Sequence, residues 1–90
     1  MKSKKRTKRE RLEILRDLLE YVILNGKSKQ TNIMSSCNMM YKQFQKYFIP
    51  LVKKGFLVEN IEERYSITKK GLKFYIEIIR EIVVKESVFR

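Results

Sequence analysis

Apolar residues return at steps of three and four through residues 8–24. Leu12, Leu15, Leu18, Leu19 and Val22 fall on one face, and Glu13, Asp17 and Glu20 on the other. That period predicts an amphipathic helix, a piece of scaffold. Asn25-Gly26 ends it, with Gly26 as a left-handed cap. A second helix follows Ser28, a suitable N-cap, and turns Ile33 and Met34 inward. Ser36-Cys37-Asn38-Met39 reads as a turn, because an asparagine side chain bonds its own backbone and tolerates positive φ. A third helix covers residues 41–54. At about 100° per residue, Met40, Phe44, Tyr47, Phe48 and Leu51 share an inward sector. Lys42, Lys46 and Lys53 then point away from it, flanked by Gln45 and Ile49. Pro50 removes the bond to the Lys46 carbonyl and predicts a kink or tightening there.

After Gly55 the pattern changes. Phe56-Leu57-Val58 and Tyr65-Ser66-Ile67 are short β-prone runs separated by a polar stretch, residues 59–64. They predict a hairpin whose tip carries Glu62, Glu63 and Arg64. Thr68 caps a last helix reaching residue 86, and this helix is apolar over two stripes. One stripe (Leu72, Tyr75, Ile76, Ile79, Val83) is enough to pack on its own domain. The other (Phe74, Ile78, Ile82) is left over and calls for a cover. A second copy of the helix, antiparallel across a two-fold axis, is the simplest cover; deep burial in a monomer is the other. The fold class is mainly α with a small β-hairpin. Residues 1–8 form a basic arm, residues 9–68 the helix-turn-helix and hairpin unit, and residues 69–90 a dimerisation helix.

Charge sharpens this picture. The net charge of +11 is unevenly spread. Residues 1–11 contribute +6, residues 12–26 −2, residues 27–54 +6 and residues 55–90 +1. No acidic residue lies between Glu20 and Glu59. A helix pair with a one-signed polar surface suits a polyanion, of which nucleic acid is the commonest. An anionic membrane surface competes, but the last helix lacks a strongly basic polar face, and no apolar run is long enough to span a bilayer. There is no histidine and a single cysteine, Cys37. That leaves no ordinary zinc site, no histidine base and no internal disulfide. Cys37 sits among small and apolar residues and reads as a buried small hydrophobe. Glu62 and Glu63 are the nearest thing to a carboxylate pair, with no partner to make them catalytic. No cofactor and no enzymatic activity are expected, and an intracellular, nucleoid-associated protein is the default.

Candidate contacts follow from position. At the start of the second helix, Lys27, Lys29, Gln30 and Thr31 can share a phosphate with backbone N–H groups; the plain alternative is an ordinary exposed helix start. In the third helix, Tyr41, Lys42, Gln43, Gln45 and Lys46 are placed to enter a groove, since the N-terminal residues of such a helix reach deepest. Ile49 suits a thymine methyl or a partner subunit. Lys53 and Lys54 suit the phosphate backbone or the helix dipole. Arg64 is the hairpin contact. In the arm, Lys4, Lys5, Arg6, Lys8 and Arg9 suit phosphate or the minor groove, or serve only as a solvated tail.

The order helix, helix, turn, helix, hairpin, long helix is that of a winged helix with a C-terminal extension. The segments ILRDLLEYVILNGKSKQTNIM, CNMMYKQFQKYFIPLVKKGFLV and YSITKKGLKFY resemble the small archaeal winged-helix DNA-binding proteins, a dimeric chromatin-type family with regulator relatives. The likeness runs over residues 11–75. It is most specific at Lys29, Thr31, Ile33 and Met34, at the run from Tyr41 through Tyr47 and Leu51 to Gly55, and at Ile67, Thr68 and Gly71. The resemblance implies a winged helix dimerised through the last helix, binding double-stranded DNA without a cofactor. It implies phosphate contacts from Lys29 and Thr31, recognition-helix contacts from Tyr41, Lys42, Gln43 and Lys46, and a wing contact from Arg64. Met40 departs from the family's Ser or Thr cap, and the last helix is short. The leading expectation is a homodimeric DNA-binding protein, either a transcription regulator or a small architectural chromatin protein. The alternative is a protein-interaction module whose basic face binds an acidic partner. RNA binding is disfavoured because the aromatic residues fall on buried faces.

Overall fold

The computed structural model describes residues 10–88, with side chains described through Val84. The arm residues Lys4, Lys5, Arg6, Lys8 and Arg9 lie outside the described residues. Helix α1 spans Arg11–Asn25. It starts there because Glu10 and Glu13 form a reciprocal box: each carboxylate accepts from the other's backbone N–H. At the far end the Gly26 N–H reaches the Val22 carbonyl at 2.8 Å, and Asn25 Nδ2 donates to the Tyr21 carbonyl at 2.8 Å. Leu18, Leu19 and Val22 are buried as their spacing requires. Ile14 is buried too, while Leu12 and Leu15 pack at the edge of the core. The apolar stripe is wider than expected because α1 is covered from two sides, by the last helix and by the sheet.

Ser28 is not the N-cap of the second helix. It belongs to a two-residue strand, β1 (Ser28–Lys29), and its Oγ donates to the Gly26 carbonyl at 3.0 Å. Lys29 takes the cap position of α2 (Gln30–Ser36), and no side chain caps that helix. A two-residue strand has no period to detect; it forms because the hairpin offers it an edge. The hairpin strands are β2 (Leu57–Glu59) and β3 (Arg64–Ile67), and the antiparallel sheet has the order β1-β3-β2. In register, Ser28 faces Tyr65, Lys29 faces Arg64, and Leu57 faces Ile67.

The α2 helix ends through the Cys37 N–H, and Asn38 turns the chain at φ 56°. Helix α3 (Tyr41–Lys53) buries Phe44, Phe48 and Leu51, with Tyr47 at the core edge. The Phe44 and Phe48 rings stack at 4.9 Å, and Phe48 meets Tyr65 edge-on at 4.8 Å. Met40 departs from the expected inward sector and is 77% exposed. It is the N-cap, with extended backbone (φ −76°, ψ 154°), so the helical projection does not extend to its side chain. Pro50 lies inside α3, within a turn of the end. There the Phe56 N–H bonds the Leu51 carbonyl at 2.9 Å and the Gly55 N–H bonds that of Val52 at 3.0 Å. This double closure requires positive φ at the residue after the cap, and Gly55 supplies it at 82°.

Helix α4 (Lys69–Val88) is joined to that end of α3 by one side chain. Thr68 Oγ1 donates to the Gly55 carbonyl at 2.7 Å and accepts from the Gly71 N–H at 3.0 Å. The Thr68 N–H adds a bond to the Phe56 carbonyl at 3.1 Å. Gly71 is buried: a Cβ there would fall on the Phe56 carbonyl oxygen and 2.7 Å from Ile67 Cγ1. This close approach sets the rotation of α4 and reverses the expected assignment of its stripes at every position but Tyr75. Phe74, Ile78 and Ile82 follow Gly71 at steps of three and four, and they face the domain's own core. Ile78 is 2% exposed, and the Phe74 ring stacks on Phe56 at 4.3 Å. Of the stripe assigned inward from the sequence, Tyr75 packs against the core as expected, but Leu72, Ile76 and Val83 are exposed and Ile79 is half-buried between them. Phe74, Ile78 and Ile82 are therefore not a free face for a second copy. A stripe is free, but it is the other one.

Candidate nucleic-acid interface

Helices α2 and α3 with their connecting turn present one polar surface. On α3, the exposed positions Lys42, Lys46, Ile49 and Lys53 recur at steps of four, three and four, forming one stripe opposite the buried Phe44, Phe48 and Leu51. Gln43 is exposed beside it, and Tyr41, 64% exposed, stands at the helix start. None of these lysines makes an ion pair among the described residues. Their ammonium groups are available to an external anion.

Two of the candidate contacts are tied to each other. Gln45 Nε2 donates to Gln30 Oε1 at 3.0 Å, and both side chains are half-buried. The bond links the first residue of α2 to the middle of α3 and fixes the angle between the helices. Gln45 is left with its oxygen, and Gln30 with its amide N–H groups, for any further partner.

The start of α2 has a different electrostatic setting. Lys27, Lys29, Thr31 and Asn32 are exposed. Lys29 sits directly across from Arg64 in the β1–β3 ladder, so the two cationic side chains emerge from the same face of the sheet. A cleft there is lined by Lys29, Gln30, Thr31, Glu59, Glu62, Glu63 and Tyr65. Three carboxylates thus stand around the group assigned to a phosphate clamp. Arg64 is the first residue of β3 rather than part of the tip, and its Nε lies 3.9 Å from Glu62 Oε1. Burial, and after it the Glu59 carboxylate bonded to its hydroxyl, push the Tyr65 phenol above its ordinary value.

The hairpin loop is built on Asn60, whose Oδ1 accepts from the Glu62 N–H at 2.9 Å and the Arg64 N–H at 3.0 Å. Ile61 stands at the tip, 97% exposed. It was hidden in a stretch that reads as polar; an isoleucine directly after a turn-forming asparagine is the signal that marks it. Cys37 is buried in the core as expected.

Comparisons with known proteins agree with this architecture. A family model described as winged helix-turn-helix matches residues 8–86. An uncharacterized protein of Methanocaldococcus jannaschii is 32% identical over 71 residues, covering 79% of this chain and 71% of the relative. Among solved structures, Sso10a-2, a DNA-binding protein from Sulfolobus solfataricus, superposes with a TM-score of 0.76 at 28% identity, covering 90% of this chain and 86% of that one. The PcaV transcriptional regulator from Streptomyces coelicolor superposes at 0.70 with 15% identity, covering 83% of this chain and 57% of its own, a likeness of fold alone. The hairpin is the wing, α3 is in the position of the recognition helix, and the chain belongs to the winged helix-turn-helix family.

Proposed function

We propose that this protein binds double-stranded DNA as a homodimer, with α3 in the major groove, acting as a transcription regulator or a small architectural chromatin protein in the cytoplasm. The observation that carries the proposal is the outer stripe of α3. Lys42, Lys46 and Lys53 are exposed and free of ion pairs among the described residues, on a helix pair without an acidic residue. Tyr41, Lys42, Gln43 and Lys46 take the groove; Lys27, Lys29, Thr31 and Arg64 take phosphates at its edge. Gln30 and Gln45 set the angle of approach through their mutual bond. Lysine, with no arginine on α3, gives adaptable contacts and a large phosphate component rather than rigid guanine readout.

The dimer proposal rests on the outward stripe of α4. Leu72, Ile76, Ile79 and Val83 are spaced four, three and four, the a/d repeat of a two-stranded coiled coil. Three of the four are exposed on a domain small enough to benefit from the added burial.

The test is a titration on a random duplex of about three helical turns across a salt series. Affinity falls linearly in log salt, by roughly 0.9 per phosphate contact. Replacing Lys42 and Lys46 with alanine lowers the affinity and the slope together. An unchanged slope refutes the placement of α3. The alternative is a winged-helix module whose basic face docks an acidic protein. Tight binding to random duplex excludes it.

A further inference from the structure

Ile49 stands where its chemistry has no structural use. It is 45% exposed, on the face of α3 opposite the buried Phe44, Phe48 and Leu51. At about 100° per residue it lies within about 60° of Lys42, Lys46 and Lys53, in the middle of the basic stripe. Directly before Pro50 it is also a poor choice for a helix, because its own β-branching and the proline ring both disfavour that conformation. A lysine or glutamine there would suit helix and solvent better. The dimer proposed above uses α4 and leaves this face of α3 uncovered.

One turn before Ile49, on the side toward α2, stands Gln45 with its bond to Gln30. Each amide spends one group on the other, so the pair still offers one oxygen acceptor and one N–H donor group. Turning both amides over leaves the same set. From Lys27 to Gly55 there is no arginine and no carboxylate.

We propose that α3 reads A·T pairs in the major groove, with Ile49 covering a thymine methyl and the Gln30–Gln45 pair taking the edge of an adenine. This rests on the reading of α3 as the DNA-facing helix. In that groove thymine carries a methyl group, and adenine presents the N7 acceptor beside the N6 donor. These are the complements of an exposed isoleucine and of an amide pair with one donor and one acceptor to spare. Arginine, the best reader of guanine, and a carboxylate, the reader of cytosine, are both missing from the helix pair. The lysines do not restore the balance, because an ammonium group is a point charge that a phosphate satisfies as well as guanine does. Side chains one turn apart on a helix sit about 5–6 Å from each other and base pairs rise by about 3.4 Å, so the two contacts fall on neighbouring pairs.

The experiment follows fluorescence anisotropy of labelled duplexes titrated with the whole chain. A mixed A·T duplex is compared with the same duplex carrying uracil for thymine, which removes the methyl and keeps every charge and Watson–Crick bond. The expected loss is about fourfold for each methyl covered, the scale of one buried carbon, and roughly fifteenfold when both protomers of a dimer engage. In a G·C duplex, 5-methylcytosine puts a methyl back into the groove and raises the affinity over plain cytosine. Ile49→Ala brings both ratios to about one, with its helix content checked by circular dichroism. Substituting 7-deazaadenine, which lacks the N7 acceptor, weakens binding about fivefold, and Gln30→Ala abolishes that difference. Equal affinity for the thymine and uracil duplexes, or a ratio that survives in Ile49→Ala, overturns the role of Ile49. Indifference to 7-deazaadenine overturns that of the glutamines. If steep salt-dependent binding persists alongside both results, α3 meets the duplex through phosphates alone. No binding to any duplex at low salt overturns the reading of α3 and this proposal with it.

Discussion

Gly71→Ala tests the rotation of α4, on which the assignment of its free face depends. The added Cβ would meet Ile67 Cγ1 at 2.7 Å and collide with the Phe56 carbonyl oxygen. Neither neighbour yields easily. That carbonyl accepts from the Thr68 N–H and lies 3.1 Å from Thr68 Oγ1. Overpacking of this kind costs about 1–3 kcal/mol, and loosening a hydrogen bond adds about 1 kcal/mol. Against this, alanine in a helix gains about 1 kcal/mol over glycine. The net loss is about 1–3 kcal/mol, a drop in Tm of roughly 5–20 °C for a domain of this size. Urea and thermal unfolding followed by circular dichroism, at one fixed protein concentration, measure it. Gly55→Ala is the control: nothing lies within 4 Å of its added Cβ, so only the positive φ opposes it, at about 1 kcal/mol. If Gly71→Ala is neutral or stabilising, α4 does not approach Phe56 as described. The outward position of Leu72, Ile76 and Val83 then falls with it.

Other perturbations follow from the same geometry. Ile76→Glu, at a position 51% exposed, leaves the domain folded and shifts the sedimenting mass at micromolar concentration from dimer to monomer; an unchanged mass refutes the seam. Ile78→Glu, by contrast, places a charge in the domain's own core and unfolds it, as circular dichroism will show. Glu62→Gln with Glu63→Gln removes two carboxylates beside Lys29 and raises duplex affinity several-fold at low salt, an effect lost at high salt; a lowered affinity would place the duplex elsewhere. Tyr65, with its phenol raised in the fold, contributes stability that is present below the unfolded value near pH ~10 and lost as pH rises through the folded value. Tyr65→Phe flattens that alkaline loss in denaturant melts taken above pH ~10, and an identical pH profile would refute the assignment.

Much of the fold can be read from periodicity alone. Helices α1 and α3 announce their buried faces through Leu18, Leu19, Val22, Phe44, Phe48 and Leu51, because a half-buried helix separates apolar from polar positions. Helix α4 does not, since it is apolar on two stripes and either could face inward. The deciding residue is Gly71, whose missing side chain marks the packed face, and Thr68-x-x-Gly71 was legible as a helix entry but not as a phase. Strand β1 was illegible because it exists only as an addition to the hairpin edge. The basic stripe of α3 could be read from the spacing of Lys42, Lys46 and Lys53. The carboxylates crowding Lys29 could not, because Glu59, Glu62 and Glu63 arrive from a hairpin about thirty residues away in the chain. The bond between Gln30 and Gln45 is a tertiary contact of the same kind.

The hydroxyl of Thr68 gives the fold a mechanical property. It grips the loop that closes α3, at the Gly55 carbonyl, and the first turn of α4 at once, with Gly71 seated against the same loop. The two helices therefore meet at a stiff elbow rather than a hinge. In a dimer built on the outward stripe of α4, any change in how the two long helices cross would swing both α3 helices as fixed arms. The distance between the two readers along a duplex would then be tuned at the seam and transmitted through the elbow. Softening Thr68 would blur that spacing without touching a single DNA contact.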